Sequence, residues 1–136
     1  MANVSAPVIT SIEILSPWDF IFEFPVVSGD TIYQGSGVVI AASGLLTYAT
    51  KASATYTAGR AEQTIVGDGT KLCRVRSGIF LYKNGGTSLA IADRFAPCYW
   101  SNADEVNKTN TNLFAGLVWD VTADGVYVLM YPGIRA

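Results

Sequence analysis

The chain has 136 residues, half of them hydrophobic and only 15% charged, with a formal net charge of −2 and a sequence pI near 4.9. That length makes one domain with no room for two independent cores, able to bury about two-thirds of its unfolded surface without a metal or disulfide staple. The balance excludes a disordered chain and argues against a nucleic-acid partner, which asks for a basic patch or stripe.

Residues 1–11 are small and polar and read as an extended arm. The N-terminus lacks the charged and apolar regions of a signal peptide. The longest apolar runs fall far short of the ~20 residues a membrane helix needs, so no membrane partner is expected. Trp18, Phe20, Phe22 and Phe24 then alternate with Asp19 and Glu23, which predicts a strand with one aromatic face, ended by Pro25. Its expected place is in the core, with packing against a neighbouring subunit as the sharper alternative. Residues 1–27 therefore read as arm plus aromatic strand, and 28–136 as the β domain.

From Ser28 onward short strands alternate with turn chemistry. Ile32-Tyr33 opens a strand, Gly35-Ser36-Gly37 bends it, Val38-Val39-Ile40 continues as a buried run and Ser43-Gly44 turns it. Residues 47–58, rich in Ala, Thr and Tyr, read as a loop with room for one helical turn. Ile65-Val66 and Leu72 to Arg76 flank Gly67-Asp68-Gly69 as a hairpin. Ile79-Phe80-Leu81-Tyr82 forms a further strand, and Phe114 to Val121 and Val126 to Tyr131 flank Ala123-Asp124-Gly125 as a second hairpin. The pattern repeats: Ala58-Gly59, Asp68-Gly69 and Gly78-Ile79 recur as Ala115-Gly116, Asp124-Gly125 and Gly133-Ile134. The expected fold is an all-β barrel or sandwich of short strands from two similar halves.

Candidates for chemistry are few. The chain has no histidine, which removes the usual general base and imidazole metal ligand. Asp93, Asp104, Glu105, Asp120 and Asp124 sit in or beside turns, where Asx-turns are their expected role. Cys73 and Cys98 lack metal or redox spacing and are expected to be buried thiols. No catalytic, cofactor or metal site is expected. Acid comes early (Glu13, Asp19, Glu23, Asp30) and base later (Lys71, Arg74, Arg76). Solvated faces are the expected outcome, and head-to-tail pairing between copies the alternative.

Several stretches resemble the capsid decoration, or cement, proteins of tailed bacteriophages. They are Ile32-Tyr33-Gln34-Gly35-Ser36-Gly37-Val38-Val39-Ile40, Arg74-Val75-Arg76-Ser77-Gly78-Ile79-Phe80, Ala92-Asp93-Arg94-Phe95-Ala96-Pro97-Cys98-Tyr99-Trp100, Phe114-Ala115-Gly116-Leu117-Val118 and Ala123-Asp124-Gly125-Val126-Tyr127-Val128. The resemblance covers residues 31–131 and leaves the segment through Phe24 unmatched. It implies a structural virion protein, made in the host cytoplasm, that binds the major capsid protein on the outer head surface. It also implies a homo-oligomer, with a trimer favoured. Trp18, Phe20, Phe22 and Phe24 are the interface candidates, with Arg74 and Arg76 for polar contacts. A tail or fibre module, and a carbohydrate-binding sandwich stacking sugars on Tyr99 and Trp100, are the alternatives.

Overall fold

The computed structural model describes residues 21–135. The expected arm and the interface candidates Trp18 and Phe20 lie outside the described residues. Within them the chain is all-β: β1 (Ile21–Pro25), β2 (Thr31–Ile32), β3 (Gly37–Ala41), β4 (Leu46–Tyr48), β5 (Ala54–Ala61), β6 (Ile65–Val66), β7 (Leu72–Arg76), β8 (Gly78–Asn84), β9 (Pro97–Asn102), β10 (Glu105–Asn107), β11 (Phe114–Thr122) and β12 (Gly125–Met130). A 3-10 turn at Ile91–Asp93 precedes β9.

The first half forms a sheet of order β1-β7-β5-β3-β4, with β2 and β6 paired beside it. The second closes as a barrel of order β10-β8-β12-β11-β9. These are one topology used twice. If β1, β3, β4, β5 and β7 are matched with β8, β9, β10, β11 and β12, every antiparallel neighbour in one half has its counterpart in the other. The closing pair matches as well. β8 and β10 run parallel through Lys83↔Glu105 and Asn84↔Val106. In the first half the same junction is one parallel bridge, Val26↔Leu46, with the Val27 amide donating to the Leu46 carbonyl at 2.9 Å.

The repeated Ala-Gly pairs explain themselves in this frame. Val38 faces Gly59 and Val39 faces Thr57, which leaves Ala58 as a bulge. Cys98 faces Gly116 and Tyr99 faces Phe114, which leaves Ala115 in the same role. A Cβ on Gly59 would lie 2.6 Å from the Arg76 carbonyl oxygen, and one on Gly116 would lie 2.2 Å from that of Leu129. Glycine is required at both because the neighbouring backbone occupies the space.

Two local expectations are corrected. Residues 47–58 are not a loop with a helical turn: they contribute to β4 and to β5, a strand held between β3 and β7. Alanine is a poor strand former alone, but pairing on both sides decides the matter. Gly67-Asp68-Gly69 does not close a hairpin either. β6 pairs with β2, whereas β7 pairs with β1 and β5. Gly67 is instead fastened to the turn after β1, its amide donating to the Asp30 carbonyl at 2.8 Å. The Asp68 carboxylate accepts from the Thr70 and Lys71 amides at 2.8 and 2.7 Å. The expected hairpin at Ala123-Asp124 is present, between β11 and β12.

The core divides into two clusters, one for each half, where a single core was expected. Val26, Ile32, Val38, Leu46, Cys73 and Val75 fill the first, and Tyr82, Cys98, Trp100, Val106, Val126, Val128 and Met130 the second. The mostly small, β-branched interior of a five-stranded barrel lets a short segment close around its own apolar contents. The clusters are not independent, because Val39 and Ala49 from the first half belong to the second. Trp100 makes the joint. Its indole N–H donates to the Thr57 hydroxyl at 3.0 Å, and that hydroxyl donates to the Phe114 carbonyl at 2.7 Å. Gly37 lacks a Cβ where the Trp100 ring passes.

Candidate functional site: two outer sheet faces

Duplication makes the outer faces of the halves directly comparable. In β12, Val126, Val128 and Met130 point into the barrel, so Tyr127 and Leu129 point out. Leu129 pairs with Leu117 on β11 and Ile79 on β8, and Tyr127 pairs with Leu81 on β8. A register shift between Val118 and Asp120 leaves Trp119 as an extra residue on β11. Its ring meets that of Phe95, with centroids 5.8 Å apart. Phe95 is held there with φ at 67°, its amide donating to the Val118 carbonyl at 2.6 Å. Ile79, Leu81, Trp119 and Phe95 are 41%, 46%, 48% and 67% exposed. The charges at the rim are internally matched: Arg94 with Asp120 at 2.8 Å and Lys83 with Asp104 at 2.9 Å.

The equivalent face of the first half has a different chemistry. Ile21 and Glu23 on β1 stand opposite Arg76 and Arg74 on β7, and Arg60 on β5 stands beside Arg76. Arg74 lies 3.5 Å from Glu23, while Arg76 and Arg60 share the Glu62 carboxylate at 3.4 and 3.0 Å. The acidic start and basic middle of the sequence therefore meet within one chain at this point. Phe22 and Phe24 occupy the other side of β1, opposite Val75 and Cys73. Phe22 packs on the first core cluster, and its ring lies 5.0 Å from that of Phe24, which stays half exposed. The described interface candidates are thus split between two sides of one sheet: arginines outside, aromatics toward the core.

The remaining chemistry-bearing groups are bound into the fold. Asp30 is buried and accepts from the Thr47 hydroxyl at 2.6 Å and the Lys51 ammonium at 2.9 Å. Burial pushes its carboxyl up, but those hydrogen bonds outweigh burial and hold it below the usual carboxylate range. Asp93 accepts from the Ala90 amide and pairs with Lys108, and Glu105 accepts from the Ser101 hydroxyl. Cys73 and Cys98 are free thiols in different clusters, and burial pushes them up to about 11 and about 12. Among the described residues, no group of three or more His, Cys, Asp or Glu side chains is placed to hold a metal, and no helix is long and apolar enough to cross a membrane. A polar groove of about 470 Å³ lies where Lys51 and Ala52 approach Ser101 and Asn112, but its ammonium is committed to Asp30. Trp100 is 2% exposed and cannot stack a sugar, and the Tyr99 ring rests against that of Phe114.

Sequence reasoning places the strands of the second half but assigns them no outer face, so it misses this apolar surface. The signal was present: Ile79-Phe80-Leu81-Tyr82 and Val126 to Tyr131 lack a polar alternate. An antiparallel strand with one wet face is expected to show one. No family model, curated protein or solved structure matches this chain.

Proposed function

We propose that this chain is a structural virion protein that binds the outer surface of a phage capsid and stabilises the head. The observation that carries the reading is the chemical difference between two equivalent outer faces on one rigid duplicated scaffold. One is charged and internally paired, and the other is apolar and exposed. Such a difference suits a decorating module, with one face toward the lattice and the other left for a further contact. Many modest contacts repeated over a lattice gain strength from their number. The outer face that carries Leu72, Arg74 and Arg76 beside Ile21 and Glu23 is the surface assigned to the capsid. Charge-rich contacts there suit reversible docking and register more than raw affinity. The resemblance of residues 31–131 to decoration proteins supports the same reading.

The test is co-sedimentation of the purified protein with expanded capsids lacking it. Saturable binding at a fixed number of copies per capsomer is expected, weakened when Arg74 and Arg76 are both replaced by alanine. A folded protein that stays in the supernatant contradicts the proposal.

A further inference from the structure

We infer that the outer face of β8, β12 and β11 is a self-association surface on which two copies of the chain pack face to face. The first argument is internal. The sister half builds the same sheet with Glu23, Arg74, Arg76 and Arg60 where this one has Leu81, Tyr127, Leu129 and Leu117. The scaffold therefore does not need apolar side chains at these positions in order to fold. Their presence calls for something that covers them.

Area and charge choose the occupant. With whole aromatic side chains at roughly 150–250 Å² each, Ile79, Leu81, Phe95, Trp119 and their half-buried neighbours leave on the order of 600 Å² of apolar surface open. That matches the upper end of what a monomer leaves exposed and approaches the ~800 Å² each partner gives to a standard interface. A second copy presents the same face, so the occupant must match itself. This one does: Leu81, Leu129 and Leu117 are uncharged, and the flanking charges, Asp120 opposite Tyr127 and Lys83 beyond Leu81, are already paired as Arg94–Asp120 and Lys83–Asp104. Three antiparallel strands facing three others reproduce the inside of a β-sandwich, with the sheets ~10 Å apart. A two-fold axis between them makes the contact isologous and closed. Leu81, Leu129 and Tyr127 lie at the centre, while Trp119 and Phe95 form the aromatic edge.

The inference rests on the capsid-binding reading for its biological setting only, and the two are tested apart. Sedimentation velocity on the full chain at tens of micromolar is expected to give twice the chain mass. Leu81→Lys and Trp119→Lys are expected to weaken association at least tenfold while retaining the far-UV spectrum and cooperative unfolding. If either fails to fold, Leu81→Glu copies Glu23 at its equivalent position and serves in its place. A monomeric wild-type chain, including one whose own residues 1–20 cover the face, overturns the inference. So does a three-fold mass, or a dimer that the folded variants leave intact. A dimer that fails to bind capsids removes the virion reading alone, and a monomer that binds them removes this inference alone.

Discussion

The two halves place the same strands in the same order around similar interiors, yet their outer faces differ at position after position. Ile21-Phe22-Glu23-Phe24 on β1 stands where Ile79-Phe80-Leu81-Tyr82 stands on β8, and the outward residue changes from Glu to Leu. Arg74 and Arg76 on β7 stand where Tyr127 and Leu129 stand on β12. Inward residues keep their character: Val75 and Val128 are both fully buried, as are Leu46 and Val106. The interior specifies the barrel, and the exterior is free to become a contact surface. Equivalent positions inside one chain thus serve as a built-in control for which residues the fold requires.

The largest way to break the comparison is at the joint between the halves. Trp100→Ala removes a buried ring and leaves the Thr57 hydroxyl without its donor. It is expected to cost ~3–5 kcal/mol by urea unfolding. Ile40 holds the equivalent position on β3 and is only half buried, so Ile40→Ala is expected to cost less, ~2 kcal/mol. Equal losses would mean that Trp100 is ordinary core and not the link between the two halves.

Gly116→Ala and Gly59→Ala probe the repeated bulge. Each Cβ would press on a neighbouring carbonyl, closer at Gly116 than at Gly59. Losses of ~1–3 kcal/mol are expected, larger at Gly116. A neutral Gly116→Ala would show that the two bulges are not structurally equivalent.

Acid sharpens the contrast in another way. Asp30 is held below its unfolded pKa, so its contribution is complete above the ordinary carboxylate value of ~3.9 and is lost as pH falls through the folded value. Stability of Asp30→Asn, followed by thermal melts, is expected to fall less steeply with acid than the wild type below about pH 4. Parallel curves would remove Asp30 from the account. With no histidine in the chain, the melting temperature is expected to stay nearly flat between about pH 5 and 8.

The smallest effect belongs to the charged face. Glu23→Gln removes one half-exposed partner of Arg74 and is expected to change stability by ~0–1 kcal/mol, because solvent screens such pairs. A larger loss would make that face part of the folding core and weaken its assignment as a contact surface.

Much of this was readable from the chain. Glycine turns, strand alternation and the recurring Ala-Gly and Asp-Gly pairs pointed to an all-β fold of two similar halves, and the geometry of Gly59 and Gly116 shows why the Ala-Gly pairs recur. What stayed hidden depends on pairing across long separations. Ala54 to Ala61 is a strand because β3 and β7 enclose it, and no local propensity announces that. Gly67-Asp68-Gly69 imitates a hairpin because its true partners lie near residue 30. The apolar face of the second half was hidden for a related reason. Leu81 or Leu129 alone reads as core, and only the register that places Leu117, Leu129 and Ile79 in one outward row shows a surface.

The most direct test is hydroxyl-radical footprinting of the protein, free and bound to expanded capsids. The account predicts that Leu81, Tyr127 and Trp119 are already protected in the free protein at micromolar concentration. Leu72 and Ile21, which share the face of Arg74 and Arg76, should gain protection only on the capsid. Full reactivity of Leu81 and Trp119 in both states, or protection of the two faces in the opposite order, would contradict the division of labour between the two halves.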